Sequence, residues 1–138
     1  MDLTTLRPED TRSSVLNLVQ KVSRLRDEYP DYPLPASICV YPNFASTVRD
    51  NRVSEDLHVT CVAGCFPSSQ SFLEVKVREV QLAIENGADE IDIVLALNAF
   101  LGGKEEAAAE EIRTIKKVCG DSVILKVILE TGVLKTPE

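Results

Sequence analysis

Two charged residues interrupt segments of the sequence that otherwise have the character of buried β-strands. Asp92 has an isoleucine on each side, and Lys126 lies between a leucine and a valine. Burial of a lone ionised group is costly, so we expect each charge to be paired or to face a polar cavity. A desolvated lysine beside a carboxylate can form a Schiff base with a carbonyl substrate, and the acid can then transfer protons. The alternative is an internal ion pair that only joins two strands, and both interpretations stay open at this point.

The positions of Asp92 and Lys126 within their strands predict that the two side chains meet. Side chains alternate between the faces of a strand, so Asp92 shares a face with Glu90, and Lys126 shares one with Ile124 and Ile128. On neighbouring parallel strands the two charges would lie in the carboxyl-terminal half of the sheet, where α/β enzymes place their active sites.

Other residues that could bind a metal or take part in catalysis form weaker patterns. Cys61 and Cys65 are spaced as C-x3-C with only His58 nearby, which is too few ligands for a zinc site. The cysteines are therefore interpreted as reduced structural thiols. His58 begins a strand at the end opposite the expected site, so we predict no catalytic role for it. The lysines other than Lys126 occupy positions typical of solvated helices and loops.

The elements that position these residues alternate along the chain. Apolar runs predict strands over residues 2–6, 37–41, 58–63, 90–95 and 123–129. Three-four apolar spacing and terminal signals predict helices over residues 8–28, 44–51, 71–87 and 104–119. The start of the third predicted helix is indicated by a capping box formed by Ser71 and Glu74. Nearly continuous apolar strands separated by helices indicate a parallel sheet with right-handed crossovers.

Length and composition limit the classes of protein that this chain can represent. With 138 residues, 44% of them hydrophobic, we expect one α/β domain over residues 1–138. The net charge of -7, without a basic cluster, argues against nucleic acid and anionic membranes as partners. No apolar run approaches the ~20 residues of a membrane span, so the cytoplasm is the expected location.

Counting units predicts part of a barrel. Eight βα units need about 240 residues in a (β/α)8 barrel, and this chain has five. We expect a partial TIM barrel with strands in the order 1-2-3-4-5; the first strand begins at residue 2, and Thr136 has the form of a helix start. The alternative is a flavodoxin-like, non-catalytic binding or assembly module, in which strand 2 lies at the edge.

Five segments, in order, resemble the deoxyribose-phosphate aldolases, which are class I (Schiff-base) aldolases. They are residues 2–6 (DLTTL), 38–44 (ICVYPNF), 65–67 (CFP), 87–93 (GADEIDI) and 125–132 (LKVILETG). The resemblance implies a lyase on a (β/α)8 barrel that interconverts 2-deoxy-D-ribose 5-phosphate with acetaldehyde and D-glyceraldehyde 3-phosphate. It implies a small phosphosugar or aldehyde as the substrate, and no metal or organic cofactor.

The resemblance also implies roles for individual residues. Asp92 matches the proton-relay carboxylate, and Lys126 matches a lysine that assists without forming the imine. The residues that match the lining of the same pocket are Asp2, Thr4, Thr5 and Cys39. This sequence departs from the family at Cys65, where the family often has Asn.

A larger departure concerns the nucleophile. The imine-forming lysine of the family lies on the sixth strand, and the lysine at position 135 follows strand five instead. We therefore expect the 138-residue chain alone to be inactive. We also expect homo-oligomers, because the outer strands of a partial barrel have unpaired edges.

Overall fold

The computed structural model describes residues 1–134 of the chain. Its strands are β1 Asp2–Thr4, β2 Ser37–Val40, β3 His58–Ala63, β4 Glu90–Val94 and β5 Ile124–Ile128. Its α-helices are α1 Arg12–Glu28, α2 Ala45–Arg49, α3 Leu73–Glu85, α4 Leu97–Leu101, α5 Glu105–Cys119 and α6 Thr131–Leu134. A 3-10 turn, Pro42–Phe44, precedes α2. The helix start predicted at Thr136 lies outside the described residues.

All five strands are parallel and lie in the order β1-β2-β3-β4-β5. This order confirms the prediction of a partial TIM barrel, because each strand pairs with the next one along the chain. The flavodoxin-like alternative is wrong, since that fold places its second strand at the edge of the sheet.

The main core lies between the helices and one face of the sheet. Alternate strand residues point into it because side chains of a strand alternate between faces. The fully buried members from the central strands are Ile38, Val40, Val59, Cys61, Ala63, Ile91 and Ile93. Helix residues in the same cluster are Val15, Val19, Val22, Val48, Val80, Ala83 and Ile115. The opposite face of the sheet carries the residues of alternate register, both polar and apolar, including Asp92 and Lys126.

Some helix ends differ from those predicted. Helix α1 begins at Arg12 and not at residue 8, because Thr11 and Ser14 form a reciprocal capping box. The capping box predicted at Ser71 is wrong, since the residue that precedes α3 is Phe72 and no side chain caps this helix. The short helices α4 and α6 have no predicted counterparts, and α4 begins without a side-chain cap that could have signalled it.

The helices within residues 1–134 include none that is long and apolar enough to cross a membrane.

Candidate active site

Asp92 and Lys126 meet on the face of the sheet opposite the helices. The register of β4 and β5 places them directly beside each other. The Nζ atom of Lys126 lies 3.2 Å from Oδ1 of Asp92. That oxygen is buried and accepts no hydrogen bond of good geometry from the rest of residues 1–134, so the lysine ammonium is its charge partner. The contact follows from alternation and strand adjacency, which the sequence predicted.

Two further carboxylates contact the same ammonium. Lys126 Nζ lies 2.8 Å from Oδ2 of Asp2 and 2.8 Å from Oε2 of Glu90. Neighbouring strands are about 4.8 Å apart, so a flat sheet would separate β1 from β5 by about 19 Å, beyond the reach of the two side chains. The contact between Asp2 and Lys126 therefore requires the sheet to curl, with this face inside the curve.

The pKa values of Lys126, Asp2 and Glu90 are all shifted in the direction that favours their charged forms. Burial disfavours the charged lysine, but the hydrogen bonds to Asp2 and Glu90 outweigh it and raise the pKa of Lys126. The hydrogen bond from Lys126 lowers the pKa of Asp2. Burial alone would raise the pKa of Glu90, but contacts from Lys126 and His58 lower it overall. Lys126 is thus a protonated lysine, and Asp2 and Glu90 are its carboxylate partners.

Asp92 is the exception among the carboxyl groups. Burial raises its pKa, and the nearby charges of Asp2 and Glu90 add to that shift, while Lys126 opposes it. Asp92 is therefore the carboxyl of the cluster that most readily binds a proton. Groups with opposed pKa shifts at close range are typical of acid–base chemistry.

Glu90 extends the cluster toward the amino-terminal end of the sheet. Its Oε1 lies 2.6 Å from Nδ1 of His58, and its Oε2 lies 3.1 Å from the hydroxyl of Thr60. The hydroxyl oxygen of Thr60 also lies 2.7 Å from that of Ser37. His58 lies at the far end, as predicted, yet it contacts a partner of Lys126. Sequence reasoning placed Glu90 on the face of Asp92 without assigning it a role; the shared face was the available signal.

The residues matched to the pocket lining are not all in the same surroundings. Cys39 is buried, and desolvation together with the charge of Asp92 raises the pKa of its thiol to about 12, so it stays protonated. Thr4 pairs with Cys39 in the register of β1 and β2 and is exposed. The hydroxyl of Thr5 donates to Asp10 at 2.7 Å and does not join the cluster.

One lysine contradicts the expectation of solvated surface positions. Lys76 of α3 is 1% exposed and contacts Glu111. Sequence reasoning missed it because its partner is 35 residues away along the chain. Within residues 1–134, no group of three or more His, Cys, Asp or Glu side chains is arranged to hold a metal ion.

Comparisons with protein families and with solved structures both match this chain to aldolases. The family model described as DeoC/LacD family aldolase matches residues 1–138. A solved aldolase named QR15 is 30% identical with a TM-score of 0.81, over 95% of this chain and 54% of that one. The tetrameric deoxyribose phosphate aldolase from Aeropyrum pernix is 29% identical with a TM-score of 0.72, over 96% of this chain and 51% of that one. The chain spans about half the length of these structures.

Proposed function

Because the chain belongs to the DeoC/LacD family of aldolases, we propose that its site acts in the reversible cleavage of 2-deoxy-D-ribose 5-phosphate. The products are acetaldehyde and D-glyceraldehyde 3-phosphate, and in the intact enzyme the reaction proceeds through a lysine Schiff base. The main support is the contact of 3.2 Å between the ammonium of Lys126 and Asp92, a carboxyl whose pKa is raised. The motifs shared with deoxyribose-phosphate aldolases and the similarity to the Aeropyrum pernix enzyme narrow the substrate class.

Asp92 is the proposed proton carrier. Formation and hydrolysis of an imine require proton transfer to and from the carbinolamine hydroxyl, and carbon–carbon cleavage leaves an enamine that must be protonated. A carboxyl with a raised pKa binds a proton more readily than an ordinary carboxylate and can pass it on. Lys126 keeps its proton and positions Asp92, with Glu90 and Asp2 holding the ammonium in place.

The proposed pocket lining includes Asp2, Thr4 and Cys39. These residues occupy alternate positions of β1 and β2, on the face that bears Lys126. Thr5 is also proposed to belong to the pocket lining. Its hydroxyl donates to Asp10, and this hydrogen bond shapes the segment after β1.

The nucleophile of the imine step is proposed to lie outside these residues. An imine needs an unprotonated amine, whereas three carboxylates surround the ammonium of Lys126. We therefore expect no turnover by the 138-residue chain alone. The chain also spans about half the length of the aldolases that it matches.

Self-association through the sheet edges is a further part of the proposal. Strands β1 and β5 lie at the two edges of the described sheet, with backbone groups available for pairing. The relative from Aeropyrum pernix is a tetramer. If the chain were a non-catalytic assembly module, this property would remain and the aldolase chemistry would not.

Borohydride reduction in the presence of 2-deoxy-D-ribose 5-phosphate, followed by peptide mass spectrometry, tests the proposal. The whole protein in which these residues occur is expected to trap substrate on a lysine other than Lys126, and the 138-residue chain is expected to trap none. An adduct on Lys126 would make it the nucleophile. A whole protein that traps substrate on no lysine would refute the aldolase function and favour the assembly module.

The role of Asp92 is tested by substitution in the whole protein. Asp92→Asn is expected to lower kcat by about 10²–10⁴-fold, the usual contribution of a general acid or base. Asp121→Asn is the matched control, because Asp121 is exposed and should have no effect. Equal activity of the two variants would contradict the role of Asp92.

A further inference from the structure

Lys76 is a buried cation on α3 that has its own partners, separate from those of Lys126 in the proposed active site. Its side chain is 1% exposed, and its Nζ lies 2.6 Å from Oε1 of Glu111 on α5. The second partner of the ammonium is the hydroxyl of Ser69, at 2.9 Å. A buried ion pair is a poor source of stability compared with apolar packing, so its position in this fold calls for a further explanation.

Ser69 belongs to the β3–α3 loop, which comprises residues 64–72. The loop leaves the carboxyl end of β3 two residues after Val62, and Val62 is the register partner of Asp92. It therefore starts beside the proposed site. Cys65 and Ser69 have φ angles of 63° and 57°, a left-handed conformation that is unfavourable for residues other than glycine because the Cβ atom crowds the backbone. Contacts with neighbouring elements must compensate for it.

Two side chains of α3 supply those contacts. Glu79 accepts a hydrogen bond from the backbone N–H of Cys65 at 2.9 Å, and Lys76 donates to Ser69. Lys76 and Glu79 are three residues apart and so lie on the same side of the helix. Cys65 and Ser69 are thus each held by one charged side chain of α3. Glu111 fixes the direction of the ammonium from α5.

We propose that Lys76, oriented by Glu111, is a positioning residue that holds the β3–α3 loop at the carboxyl end of the sheet. Ser69 is 2% exposed, so its hydroxyl depends on Lys76 and not on solvent for a hydrogen-bond partner. Under the proposed aldolase function, on which this last step rests, the loop would form a wall of the substrate pocket beside Asp92.

Amide hydrogen exchange of the 138-residue chain tests the positioning role without any substrate. The N–H of Ser69 donates to the carbonyl of Cys65 at 2.9 Å, so the peptide that covers the loop should be protected. Removal of one contact to a charged group is expected to speed exchange of this peptide about tenfold, while exchange in α1 stays unchanged. The variants are Lys76→Met and Ser69→Ala, and Lys104→Met at an exposed position is the control.

A double variant separates positioning from a purely structural ion pair. Lys76→Met with Glu111→Leu replaces the pair by apolar side chains and should recover most of the stability that Lys76→Met loses. Exchange of the loop should nevertheless stay fast, because Ser69 still lacks its donor. Parental loop exchange in both this double variant and Ser69→Ala would overturn the proposal. If Lys76→Met accelerates exchange throughout the chain, the result for Ser69→Ala decides between the two explanations. This variant keeps the ion pair of Lys76 and Glu111 and removes only the contact to the loop.

The link to catalysis has a separate readout. In the whole protein, Ser69→Ala is expected to raise KM more than it lowers kcat, because a pocket wall binds substrate without reacting. A fall in kcat at constant KM would refute the pocket wall and leave the loop result standing. Failure of the aldolase function itself would not alter the exchange data, so the two proposals fail independently.

Discussion

Replacement of Lys126 by methionine removes the one ammonium that three carboxylates share. The side chain of Lys126 is 33% exposed, whereas those of Glu90 and Asp92 are 9% and 15% exposed. Loss of one partner from a fully buried pair costs about 3–5 kcal/mol, and loss from an exposed pair costs at most about 1 kcal/mol. Because Lys126 is partly solvated, we expect Lys126→Met to lower the free energy of unfolding by about 2–3 kcal/mol at pH 7.

The pH dependence of that loss identifies its cause. Asp2 and Glu90 have lowered pKa values in the folded chain, so they stabilise it above their ordinary values of 3.8 and 4.5. That stability is lost as the pH falls through the lower folded values. Without Lys126, the part of each shift that its ammonium causes disappears. The difference between parent and variant should therefore be largest at pH 7 and should narrow as the pH falls below about 4.

Urea unfolding at several pH values measures this difference, with Lys104→Met as the exposed control. A loss that is the same at pH 7 and at acidic pH would show that packing of the lysine stem, and not charge, is responsible. That result would refute the electrostatic reasoning.

Asp92→Asn should behave differently from Lys126→Met. Considered alone, a pair of Asp92 and Lys126 predicts that the asparagine would leave a buried ammonium unpaired. In the structure the ammonium keeps Asp2 and Glu90 at 2.8 Å each, so the expected loss is about 1 kcal/mol or less. A carboxyl whose pKa is higher in the folded chain stabilises the folded state at pH values below its pKa in the unfolded chain. This contribution is lost as the pH rises through its pKa in the folded chain. The free energy of unfolding of Asp92→Asn should therefore rise relative to that of the parent as the pH rises. Strict additivity of the two substitutions would show that the residues are not coupled.

The remaining predictions concern the helix start, two glycines and the sheet edges. Thr11→Ala should lose about 0.5–2 kcal/mol in urea unfolding through its cap, whereas the exposed Ser13→Ala should not; equal values would contradict the capping box. Gly87→Ala should lose more stability than Gly103→Ala, because both have positive φ but only at Gly87 would the new Cβ lie 2.5 Å from the Arg49 side chain. Light scattering at micromolar concentration should detect oligomers, and a clean monomer would show that the edges of β1 and β5 are protected.

The sequence by itself determined the strands, their parallel arrangement and the meeting of Asp92 with Lys126. Each of these follows from short-range patterns: apolar runs, a period of two, and connections long enough for a crossover helix. The strands occur within two residues of the predicted ends. Neighbouring strands along the chain are neighbours in the sheet, so a contact between β4 and β5 needed no further information.

Only the tertiary structure decided the contacts between distant elements. Asp2 reaches Lys126 because the sheet curls, and curvature accumulates from the twist of all five strands. Lys76 has the sequence surroundings of a surface lysine, and its burial depends on how α5 packs against α3. A local pattern covers only a few residues in each direction. Partners 124 and 35 residues apart along the chain are therefore determined by packing and not by sequence spacing.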